Sequence, residues 1–86
     1  MAEDEFDRAI CSHVARLLRE ERKRQNLSLN TLAERAGLSR QMVSYVEQLE
    51  RNPTLDTLLR ISKALDVKLE ELIKRARATA SKEKTK

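Results

Sequence analysis

Cysteine, glycine and proline each occur once in this 86-residue chain, tryptophan is absent, and Phe6 and Tyr45 make up the whole aromatic content. One cysteine closes no intrachain disulfide and supplies no cysteine-rich zinc site. One glycine cannot build the glycine-rich loop that cradles phosphate in Walker or dinucleotide-binding folds. With one proline and one glycine, the chain lacks the turn residues that a many-stranded β domain needs. No apolar run reaches the roughly 18 residues of a membrane span, and no basic-then-apolar leader opens the sequence. A soluble intracellular protein with an aliphatic core is therefore expected. A core of this size is marginally stable alone, which already favours pairing of two copies.

What the chain has in quantity is charge. Eighteen Lys and Arg stand against 14 Asp and Glu, for a net charge of +4 and a pI near 9.6. The distribution is uneven. Glu3, Asp4, Glu5 and Asp7 open the chain; Arg8, Arg16, Arg19, Arg22, Lys23 and Arg24 follow against Glu20 and Glu21; from Lys74 onward there are six basic residues and only Glu83. Phosphate attracts such excess base without regard to sequence, so nucleic acid is a candidate partner; the alternative is a solvated surface with a soluble tail.

Apolar residues recur at helical spacing almost throughout. Phe6, Ile10, Val14, Leu17 and Leu18 form one stripe, predicting a first helix over 5–25, ended at Asn26. Ser28 caps a second helix over 29–36, and Gly37 stops it. Ser39 caps a third, from Arg40 to about Leu49, with Val43 and Val46 inward. Thr54 caps a fourth over 55–65, which ends at Asp66, and a fifth covers about 68–78. Residues 1–80 read as one domain with an extended first helix. Residues 81–86 read as a basic, disordered tail.

Only Gly37, Leu38 and Ser39 join the second and third helices, too few for them to lie antiparallel, and Ala33 and Ala36 are small enough for a close crossing. Such a corner is a helix-turn-helix, whose second helix can enter a DNA major groove, though compact helical corners also occur without that role. The outward face of the third helix carries Arg40, Gln41, Ser44 and Tyr45, with no acidic residue between Arg40 and Val46. Arg can donate twice to guanine, Gln can bond adenine, Ser serves either, and Tyr can reach phosphate or a thymine methyl. Two charges stand on otherwise apolar stripes. Arg22 follows Leu18 by four residues and Glu47 follows Val43 by four, so a mutual, partly buried ion pair is expected.

With those residues in view, the segment from Val14 to Ile73 resembles the lambda-repressor-like, Cro/XRE-type helix-turn-helix family. The resemblance rests on Leu32-Ala33-Glu34-Arg35-Ala36-Gly37-Leu38-Ser39, on Val43-Ser44 and Val46-Glu47, on Arg51-Asn52-Pro53-Thr54-Leu55 and on Ile61-Ser62-Lys63-Ala64-Leu65. It implies an all-α, compact five-helix domain, operator DNA as partner and a homodimer. By position it implies base readout by Arg40, Gln41, Ser44 and Tyr45. It implies phosphate contacts from Ser28, Asn30, Ser39, Arg51 and Asn52, and an internal Arg22–Glu47 pair. Some positions depart from the family pattern. Leu29 replaces a frequent Gln, so Asn30 or Ser28 takes over its contact. Leu49 replaces a frequent Gly, which predicts a longer third helix, and Glu50 replaces a basic residue. Asp66 replaces Gly, and Lys68 replaces a capping Ser or Thr, which leaves the fifth helix poorly capped.

Other conspicuous residues read as structural. Cys11, beside the apolar stripe, is expected buried or half-buried, without a resolving partner. His13 has no neighbours in sequence that suit a metal or a catalytic base. Phe6, Leu69 and Ile73 are candidates for the surface that pairs two subunits. No metal, cofactor, small-molecule ligand or membrane is expected, and no nucleophile–base pair points to an enzyme. The leading expectation is a sequence-specific transcriptional regulator, cytoplasmic and associated with the nucleoid through DNA. It would place two recognition helices roughly 34 Å apart on a near-palindromic operator. The alternative is a protein-interaction module that keeps the fold without strong operator selectivity.

Overall fold

The structure, a computed structural model, describes residues 3–84. Five helices follow one another, with no strand among the described residues: α1 (Glu3–Arg24), α2 (Leu29–Ala36), α3 (Arg40–Gln48), α4 (Leu55–Ala64) and α5 (Leu69–Lys84). Three helices start where short hydroxyl side chains accept a bond from the first turn. Ser28 accepts from Thr31 N at 3.0 Å, Ser39 from Met42 N at 3.1 Å and Thr54 from Thr57 N at 3.1 Å. Each satisfies a backbone donor that the helix itself leaves unpaired.

The stops share one device, although only one of them has a glycine. Asn26, Gly37, Leu49 and Asp66 all lie in the left-handed region, with φ of 59°, 69°, 54° and 58°. At each stop the next residue's N–H returns to a carbonyl of the last turn, as in Leu27 N to Arg22 O at 3.1 Å and Leu38 N to Ala33 O at 2.9 Å. Leu27, Leu38 and Val67 follow three of these stops and pack against the core, the apolar contact that accompanies such a cap. Leu49 corrects the expectation of a longer third helix. It takes φ 54° itself, and α3 ends at Gln48.

α1 and α5 are the long pair. They run antiparallel, because His13 in the first half of α1 lies 2.9 Å from Glu83 near the end of α5. Ala76 and Ala80 are fully buried. The fifth helix thus runs six residues past the expected end at Ala78, as far as Lys84. The physical reason is Ala80, which continues the stripe of Leu69, Leu72 and Ala76 one turn further and finds the core still beneath it. The expected disordered tail is accordingly helical over 81–84, and residues 85–86 lie outside the described residues.

At the other end of α1, Gln25 donates at 2.7 Å both to Glu21 Oε2 and to the carbonyl of Leu65, tying α1 to the end of α4. The hydrogen bonds from Arg24 and then from Gln25 hold the Glu21 carboxyl below the usual carboxylate range. The core itself is aliphatic, with Leu18, Leu32, Ile61, Leu65, Val43 and Val46 sealed from water.

Candidate nucleic-acid interface

α2 and α3 meet at the turn Gly37–Ser39, with Ala33 and Ala36 buried on the side that closes the corner. A Cβ on Gly37 would stand 3.3 Å from Arg60 Nη1 of α4, and the φ of 69° favours glycine there in any case. Val43 and Val46 fasten α3 to the core. Arg22 and Glu47 fasten it a second time. Arg22 Nε donates to Glu47 Oε2 at 2.7 Å and Nη2 to Oε1 at 3.0 Å, while Nη1 donates to the Leu27 carbonyl at 2.8 Å. The two side chains are 12% and 5% exposed. This bidentate geometry, with the third donor also satisfied, lets charges sit near a core without an unpaired atom.

With its inner side anchored, α3 leaves Arg40 and Gln41 exposed and Ser44 and Tyr45 half-buried. Arg40 makes no ion pair or hydrogen bond among the described residues. Gln41 Nε2 donates to Tyr45 Oη at 2.6 Å, and the Arg51 guanidinium lies 4.6 Å from the Tyr45 ring centre. Gln41, Tyr45 and Arg51 thus form one connected set across the left-handed stop at Leu49. Cation–π contact places a loop cation on the reading helix. Gln48 Nε2 donates to Ser44 Oγ at 3.3 Å. Gln48 was missed in the sequence, although its place four residues after Ser44 is a usable signal. Arg51 over Tyr45 left no such signal, because the contact depends on the turn between them.

The expected phosphate-facing residues divide. Asn30, Arg51 and Asn52 are exposed. Ser28 Oγ already accepts from Thr31 N and donates to Thr31 Oγ1 at 3.0 Å, and Ser39 Oγ is the α3 cap. Their hydroxyls serve the helices, so these positions can offer phosphate chiefly the backbone N–H groups of a helix start.

Two expectations are corrected. Leu69 is 4% exposed and belongs to the core, so it cannot serve as a pairing surface; Phe6 and Ile73 are half-buried. Cys11 is exposed, because it lies one residue round from inward-facing Ile10. His13, read as structural, has polar partners on α1 and α5. Its Nε2 lies 2.9 Å from Glu83 Oε1, 70 residues away, and its Nδ1 lies 3.3 Å from Arg16 Nη2, one turn along α1. Among the described residues no group of three or more His, Cys, Asp or Glu could hold a metal, and no helix is long and apolar enough to cross a membrane.

A tight two-helix corner that presents a doubly anchored, outward-polar second helix defines a DNA-binding helix-turn-helix domain. Comparison with known proteins agrees. The sequence model of the Helix-turn-helix family matches residues 18–72. Over 62 residues the chain is 42% identical to control protein C.SmaI of Serratia marcescens, covering 72% of this chain and 74% of that one. It is 37% identical over 60 residues to the HTH-type transcriptional regulator SlrR of Bacillus subtilis (strain 168), covering 69% of this chain and 40% of SlrR. The crystal structure of the restriction-modification controller protein C.AhdI from Aeromonas hydrophila superposes with a TM-score of 0.67 at 38% identity, covering 73% of this chain and 94% of that one.

The chain belongs to the helix-turn-helix family of the Cro/XRE type. Its relatives are transcriptional regulators rather than enzymes, and it is a DNA-binding regulator of that kind.

Proposed function

We propose that the chain is a homodimeric, sequence-specific operator-binding regulator of the controller type, with α3 inserted into the major groove. The observation that carries this reading is the outward face of α3, which bears Arg40, Gln41, Ser44 and Tyr45 without a carboxylate while the opposite face is sealed in the core. Arg40, exposed and without a partner among the described residues, is suited to donate twice to a guanine. Gln41 and Tyr45 are held to each other and steadied by Arg51, so they meet a base edge and its phosphate with little left to order. Asn30, Arg51 and Asn52, with the N–H groups at the starts of α2 and α3, hold the backbone on either side and set the depth of the helix. Two copies read half-sites one helical turn apart, and occupancy follows the protein's own concentration through coupled dimerisation and binding.

Selection of bound duplexes from a random pool tests this. Recovery of a near-palindromic site, with half-site centres about one turn apart, supports it. A pool that stays random, with no affinity even at low salt, refutes it in favour of a protein-interaction module.

A further inference from the structure

We infer that Arg51, in the loop after α3, is a positioning residue for base readout: it holds the Tyr45 ring, and Tyr45 holds Gln41 in the arrangement with which it meets a base. This rests on the operator reading above and places a determinant of selectivity outside the reading helix. Gln41 and Tyr45 lie one turn apart on α3, and Gln41 Nε2 donates to Tyr45 Oη at 2.6 Å. That bond uses one of the two N–H groups of the amide. The other N–H and the amide oxygen remain, the donor–acceptor pair that N7 and the N6 amino group of adenine complement. Free to turn, the amide would offer them in either order, and its preference among bases would weaken.

The ring, in turn, is held from outside the helix. Tyr45 is half-buried, and the Arg51 guanidinium lies 4.6 Å from its ring centre. The backbone brings the two together. Leu49 turns the chain with φ 54°, and the Glu50 N–H returns to the carbonyl of Tyr45 itself at 3.0 Å. Arg51 therefore stands one residue past a bond that closes on Tyr45. It makes no ion pair or hydrogen bond among the described residues, although exposed Glu50 is its neighbour. The guanidinium rests on the ring rather than on that carboxylate.

The kind of cation matters. A guanidinium engages a ring by its flat face, which leaves the N–H groups at its edge free for phosphate. Arg51 can thus hold Tyr45 and meet the DNA backbone together, which ties the base contact of Gln41 to the phosphate contact of the loop. Lysine would bring its charge to phosphate without the flat face that covers the ring. A phosphate contact alone carries no sequence information, so its loss weakens every duplex alike. Loss of a positioning residue changes the ratio between duplexes.

The test is the selectivity of the full chain, measured by fluorescence anisotropy on the selected operator and its single-base variants. Gln41→Ala first marks the base pair that Gln41 reads. Expected for Arg51→Lys is about a 5-fold fall in discrimination at that base pair, while the base pair marked by Arg40→Ala is still discriminated in full. Tyr45→Phe keeps the ring but removes the hydroxyl that Gln41 bonds, so it should show the same fall. Arg51→Lys added to Tyr45→Phe should then cost no further discrimination. A loss for Arg51→Lys that is equal on every duplex, or one that adds in full to that of Tyr45→Phe, overturns the assignment and leaves Arg51 a plain phosphate contact. An unaltered profile in Arg51→Lys overturns it as well. A wild type that selects no sequence overturns the operator reading itself, and this inference with it, so the two failures are told apart by the wild type.

Discussion

α3 and α4 are nearly the same length, start on the same kind of hydroxyl cap and bury apolar residues on the inner side, yet their outer faces have little in common. α3 shows water an arginine, a glutamine and a half-buried tyrosine; α4 shows it two leucines beside Lys63 and the 2.8 Å Asp56–Arg60 pair. The inner faces are interchangeable in kind because both answer to one aliphatic core. The outer faces differ in chemistry, since only that of α3 offers donors suited to base edges. The anchoring differs too. α3 is tied to α1 by a bidentate ion pair, as a helix must be if it is to present side chains at fixed positions.

The sharpest way to break this contrast is to release α3. Glu47→Ala leaves the Arg22 guanidinium buried beside apolar neighbours and should destabilise the fold by about 3–5 kcal/mol in chemical denaturation. Leu59→Glu on α4, by contrast, should stay within about 0.5 kcal/mol of the wild type when monomer stability is compared. Arg40→Ala should leave the thermal transition unchanged and weaken operator binding by about 1–3 kcal/mol, read by fluorescence anisotropy. Gly37→Val, at the joint between α2 and α3, should lower stability by about 1–2 kcal/mol through a strained left-handed residue.

Asp66 closes α4 in the same conformation without being glycine. Asp66→Gly should raise the melting temperature, through up to about 1 kcal/mol of relieved strain. The smallest effect concerns Glu21. Its carboxyl is held below the usual range by Arg24 and Gln25, so its contribution is complete above the ordinary carboxylate range and is lost as pH falls through the lower folded value. Glu21→Gln should flatten the acid limb of a stability–pH curve.

The parts of the fold that were readable in advance are those with local causes. Ser28, Ser39 and Thr54 mark helix starts because their hydroxyls cap whatever follows, and Gly37 marks a stop because its backbone goes where others resist. The charged pair was readable because Arg22 and Glu47 interrupt apolar stripes. Leu49 was misread because nothing local marks a leucine that takes the left-handed conformation, as its φ of 54° does. The end of α5 was misread because Ala80 looks neutral until α1 is known to lie beneath it. Leu69 and the pair Leu55–Leu59 carry the same side chain at helical spacing, and only the packing distinguishes core from surface. On the reading helix the residue types were legible. Their coupling through Tyr45 to Arg51 was not, since it spans a turn.

Regulation by this chain requires that α3 read base edges. The direct measurement is the binding energy of the wild type and of Arg40→Ala to every single-base variant of the selected site. If Arg40 reads a base, the variant protein should lose discrimination at one base-pair position in each half-site, placed symmetrically, and keep it elsewhere. A loss spread evenly over all positions, with the profile otherwise unchanged, would contradict it.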